Sequence, residues 1–213
     1  IADDNFDWTD GWQGKAQFVV AQQYPDDADQ GFECDNSGED NLATPISNPT
    51  IYNFTMIGAG TPYGDESDIG MLLREGTKAQ MYNGIIMGFG ENGLDVDHEA
   101  TFNNADNGEL IVDHCIFYEN QSSFSSDDDT EDAGFDFDEE AFATETNSNN
   151  IVASQSPVAN PYDAATPDYR PQNEALSHTP KTPGDPFFDS VNYIGGVDPS
   201  NDWTAGWTIH DRN

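Results

Sequence analysis

The chain has 213 residues, enough for one domain with its own core or for a short stack of solenoid coils, and too few for two large globular domains. Its 41 acidic and 6 basic residues leave a formal net charge of −35, which argues against nucleic acid and anionic membrane surfaces as partners because both would be repelled. Low hydrophobicity with such a charge would suggest disorder, but Phe, Tyr and Trp make up 12% of the chain and fall in patterned clusters, so a folded protein adapted to salty water is expected.

Taken in chain order, four short apolar alternations superpose: Phe6 to Thr9, Phe32 to Asp35, Met71 to Arg74 and Leu94 to Asp97. Each is followed by a second strand-like run, at Ala16 to Ala21, Thr50 to Ile57, Gln80 to Met87 and Glu109 to Tyr118. Gly, Asn and Asp occupy the joints, and no convincing amphipathic helix lies between the runs. This repeat predicts an all-β chain, a right-handed parallel β-solenoid, with an antiparallel sandwich as the other possibility. Period-two alternation sends Phe6, Trp8, Phe32, Cys34, Met71, Leu73, Leu94 and Val96 into the core. The intervening residues then form two outer columns, Asp7, Glu33, Leu72, Asp95 and Thr9, Asp35, Arg74, Asp97.

Residues 1–121 are thus read as solenoid coils. Residues 122–150 form an acidic loop region, dense in carboxylates from Asp127 to Glu140. Residues 151–213 hold most of the prolines and read as an irregular strap and cap of the same domain. The four tryptophans fall in two near-identical hexapeptides, Asp7 to Trp12 and Asp202 to Trp207. Trp12 and Trp207 could offer a sugar-binding platform; the alternative is a turn whose large side chains plug the solenoid ends. The chain begins only a few residues before the first strand, so Phe6 and Trp8 are expected at an interface. There, copies of the chain, another protein or further coils would stack.

The segments Asp4 to Trp8, Gly31 to Asn36, Leu73 to Thr77 and Asp202 to Thr208 resemble a group of exported proteins of marine and other Gram-negative bacteria with a pectate-lyase-like right-handed β-helix. The resemblance runs over most of the chain. It implies a secreted, extracellular or outer-surface protein, and its motifs are structural, with no assigned catalytic roles.

Clustered Asp, Glu and Asn suit a hard cation, so calcium is the expected metal, held by Asp127, Asp129, Glu131, Asp132, Asp136 and Asp138 or on the outer columns by Asp35, Asp95 and Asp97. One register of the acidic run follows an EF-hand loop until Ala133 breaks it. Were the protein a polysaccharide lyase, Arg74 would be the base among these carboxylates; the plainer reading is that Arg74 neutralises their repulsion. Four scattered histidines and two cysteines, Cys34 and Cys115, have no transition-metal or haem spacing, and no nucleotide-binding motif is present. One disulfide and two buried thiols both remain open. These readings favour a binding or assembly protein that is calcium-stabilised and has no membrane span, with a carbohydrate-active enzyme or sugar-binding module as the alternative and polysaccharide as a possible ligand.

Overall fold

The computed structural model describes residues 3–126, 137–163, 165–206 and 208. Two parallel sheets wind along the chain. Sheet one is built from short strands, β1 (Phe6–Trp8), β3 (Phe32–Cys34), β5 (Met71–Leu73) and β7 (Asp95–Val96), paired in that order. Sheet two carries the longer runs, β2 (Lys15–Gln22), β4 (Thr50–Ile57) and β6 (Ala79–Met87). It continues through β8 (Leu110–Asp113) and β9 (Ile116–Tyr118), which both pair with β6, to β10 (Ile151–Val152). Every pairing in these two sheets is parallel. The architecture is a parallel β-solenoid.

The register follows the repeat read from sequence: Phe6, Phe32 and Met71 align, as do Trp8, Cys34, Leu73 and Val96. Their side chains enter one core with Phe54, Met56, Met81, Ile86, Phe89 and Phe117. Trp8 is 3% exposed, and its indole N–H donates to Thr77 Oγ1 at 3.0 Å, so it spans coils within the core. Gly84 is needed there because a Cβ would lie 2.1 Å from the Phe54 ring. Cys34 and Cys115 are both buried free thiols, and burial pushes the pKa of each up.

The longer strands are not straight. Phe18, Asn53, Asn83 and His114 occupy equivalent positions in successive coils and all have left-handed φ, at 62°, 52°, 62° and 56°. One such residue reverses which side chains face inward, so each long run is two straight pieces joined at a bend. Asn tolerates that conformation better than most residues. Beyond the bend Phe54, Met56 and Ile86 point into the core, while Ile57, Ile85 and Met87 face outward.

That outward face is covered. An antiparallel pair, β11 (Val158–Asn160) and β12 (Asp168–Pro171), precedes a short helical turn at Glu174–Ser177. Val158, Tyr169, Ala175, Ile194 and Val197 pack on Ile57, Ile85, Met87 and Ile116. Phe188 lies over Tyr52 and Tyr82. Covering on both faces explains why β4 and β6 read as near-continuous apolar runs.

The expectation of no helix between the strands is corrected by α1 (Glu99–Asp106). It buries only Thr101, Phe102 and Ala105, a stripe too narrow to register as an amphipathic period. Thr101 Oγ1 accepts the Gly76 N–H at 2.8 Å, and Asn104 Nδ2 donates to the carbonyls of Gly76 and Thr77, so polar contacts seat it.

Candidate functional site: the acidic face of sheet one

The outer columns stand as the alternation predicts, with Asp7, Glu33, Leu72 and Asp95 in register. Backbone N–H groups of Asp35, Arg74 and Asp97 donate in turn to Trp8, Cys34 and Leu73, which stacks the second column. Parallel pairing spaces such side chains by about 4.8 Å, close enough for like charges to repel strongly.

Arg74 interrupts this repulsion. Its Nε donates to Asp35 Oδ1 at 2.9 Å, and its Nη2 to Glu33 Oε1 at 2.5 Å and Asp35 Oδ2 at 3.3 Å. Burial works against the guanidinium charge, but the bonds to Asp35 and the field of Glu33 hold it more firmly protonated than usual. Burial pushes Glu33 up to about 7, with Asp4 and Asp35 adding to the rise and Arg74 opposing it. Burial and the neighbouring carboxylates likewise raise Asp7 and Asp29. The geometry gives Arg74 the work of charge compensation.

Two features were not singled out in the sequence. Asp3, Asp4 and Asp29 bring one carboxylate oxygen each within 4.8 Å of one another, an arrangement that could hold a cation. Asp4 Oδ1 also accepts the Gln30 N–H at 2.9 Å, which fixes it across coils. At the far edge of sheet one, Glu139 is 3% exposed. Its carboxyl takes hydrogen bonds from the backbone of Glu139 itself and of Val96, standing where a further strand would pair. One of its oxygens, Oε2, is buried without a partner, and burial together with Asp95 and Asp97 pushes the group up to about 8. Nothing local in the sequence announces that Asp29 meets Asp3 and Asp4, or that Glu139 meets Val96, Asp95 and Asp97.

The remaining predicted residues separate. Asp95 and Asp97 lie one coil beyond Arg74. Asp138 caps the short helix Glu139–Ala141 by accepting the Ala141 N–H at 2.8 Å. Asp127, Asp129, Glu131, Asp132 and Asp136 lie outside the described residues, as does Trp207. Trp12 is half-buried and packs 6.0 Å from both Phe6 and Trp8, so the first tryptophan motif joins an aromatic cluster over the first coil. Trp203 donates its indole N–H to the Gly196 carbonyl at 2.8 Å and packs against the outer face of sheet two, a different setting for a similar hexapeptide.

A family model described as the pectate-lyase-like β-helix domain matches residues 1–208. The chain belongs to that family. No curated protein and no solved structure matches it. In this pectate-lyase-like domain, no helix among the described residues is long and apolar enough to cross a membrane.

Proposed function

We propose that this pectate-lyase-like domain is a right-handed acidic solenoid of an exported bacterial protein. It acts outside the cell or on its outer surface by binding and assembly, stabilised by calcium. The observation that carries this reading is the free edge of the first coil. Among the described residues β1 and β2 each pair on one side only, and Phe6, Val19 and Ala21 are partly buried against the core. Unpaired strand edges over apolar side chains are templates for strand addition. A further coil, from another copy of the chain or from another protein or segment, completes both sheets there. Light scattering with hydrogen exchange on the 213-residue chain tests this. Concentration-dependent association with newly protected β2 amides is expected; a monomer whose β2 amides are unchanged at every concentration refutes the stacking of one copy of the chain on another.

The family's pectate-lyase-like form favours a second reading, a polysaccharide lyase or sugar-binding module using the acidic face. A lyase would release unsaturated products from a uronate polymer, in a reaction abolished by Arg74→Ala.

A further inference from the structure

His114 takes the place in the bend column that Asn53 and Asn83 hold in the preceding coils. Those two asparagines clamp the C-terminal segment. Asn53 Nδ2 donates to the Tyr193 carbonyl at 3.1 Å. Asn83 donates to the Lys181 carbonyl at 3.0 Å and accepts the Lys181 N–H at 2.7 Å. The Gly195 N–H donates to the Asn83 carbonyl at 2.9 Å, and the Gly196 N–H to Thr55 Oγ1 at 2.9 Å. At the third position the clamp is replaced by a titratable ring in a left-handed backbone conformation that favours Asn over His.

Around that ring the fold gathers charge. His114 Nδ1 lies 3.1 Å from Asp113 Oδ2, and only 14% of each side chain is exposed. The Asn149 backbone N–H and side-chain amide both donate to Asp113 at 3.1 Å, which fixes the carboxylate. His178 Nε2 lies 2.5 Å from the Asn149 carbonyl. Lys181 Nζ sits 5.7 Å from the centre of the Tyr82 ring. The groups facing His114 are therefore Asp113 next to it in the chain, and His178 and Lys181 on the C-terminal segment.

We infer that His114 is the trigger of an acid-operated latch: with its ring neutral the C-terminal segment stays closed over sheet two, and with the ring protonated the segment lifts. When the His114 imidazole is charged it is repelled by Lys181, which rides on the segment that must stay down. Lifting takes Lys181 and Gly195 off Asn83, uncovers the Tyr52–Tyr82 pair and exposes Ile57, Ile85 and Met87. The sign follows from the folded environment. Burial, reinforced by Lys181 and His178, holds His114 below its ordinary value, although Asp113 pulls the other way. The closed form thus binds fewer protons than the open form and loses ground as pH falls below about 6.5.

Hydrogen exchange with mass spectrometry, corrected for the intrinsic pH dependence of exchange, tests the latch through the amides of Lys181, Gly195 and Gly196. Between pH 7.5 and 5.5 their opening is expected to increase by about tenfold, the limit for one proton bound by the open form and none by the closed form over that range, while amides within β4 stay unchanged. His114→Asn restores the residue found in the two preceding coils and suits the backbone; it is expected to abolish most of the increase. Lys181→Met, which keeps the backbone clamp to Asn83 and removes the cation facing His114, is expected to reduce it. Equal protection at the two pH values in the unaltered chain, or a full tenfold increase in both variants, overturns the inference. A parallel loss of protection in β4 does so too, because it marks global acid unfolding.

Discussion

Replacing Arg74 by Met keeps the aliphatic stem and removes the one cation between Glu33 and Asp35. The side chains of Arg74, Glu33 and Asp35 are 30%, 21% and 11% exposed, so the site lies between two regimes. Breaking an exposed pair costs about 0–1 kcal/mol, whereas removing one partner of a buried pair costs about 3–5 kcal/mol. The expected loss is about 2–3 kcal/mol, a fall in Tm of roughly 5–10 °C for a chain of this length. The loss depends on pH with a definite sign. Glu33 already stands at about 7, and Arg74 is the neighbour holding it down, so the variant raises it further. A carboxyl whose folded value exceeds its unfolded value destabilises the fold as pH rises through the folded value. The deficit is therefore largest near pH 8 at low salt and shrinks towards pH 5. Thermal melts of both proteins at the two pH values measure it, and adding Glu33→Gln to the variant should restore part of the difference. A deficit under about 1 kcal/mol at pH 8, or an equal deficit at pH 5 and pH 8, would refute the compensating role of Arg74.

Two further outcomes concern the acidic face as a whole. In chelator at low salt, the Tm of the unaltered chain should fall as pH rises from 5 to 9, with the Glu33 loss levelling off above about 7 and the Glu139 loss above about 8; a flat profile contradicts the assignment. Millimolar calcium or high salt should raise Tm at pH 7.5, since bridging or screening relieves stacked carboxylates, and Asp29→Asn should weaken the calcium response specifically. Identical melts in chelator and in calcium would exclude a stabilising ion.

The strand repeat was legible because burial imposes period two on each short strand, and Phe6, Phe32, Met71 and Leu94 announce it with large apolar side chains. The outer columns followed from the same parity, so Asp35, Arg74 and Asp97 were placed correctly in one file. What escaped the sequence depends on groups meeting across coils. Glu139 meets Val96, Asp95 and Asp97 only after the chain has left sheet one and come back, and Asp29 meets Asp3 only through stacking. The bend residues escaped for another reason: Phe18, Asn53, Asn83 and His114 share a backbone conformation and not a side-chain type, so no local pattern links them. The helix Glu99–Asp106 was hidden because it is held by Thr101 and Asn104 in place of a broad apolar stripe.

The clamps along the bend column also act as a gauge of length. Gln17, beside the bend residue Phe18, and the bend residues Asn53 and Asn83 sit on three successive rungs, and the C-terminal segment touches each of them, through Asp189, Tyr193 and Lys181. The intervening loops can differ in size without disturbing this, because only the column positions are read; the turn region 35–49 is already longer than its counterpart at 9–14. Inserting a whole rung between β4 and β6 would preserve both sheets yet stretch the segment past its anchor points and leave one outer face bare. A lengthened descendant of this domain, natural or designed, would therefore need a correspondingly longer tail, and tail length should scale with rung number wherever this clamp is retained.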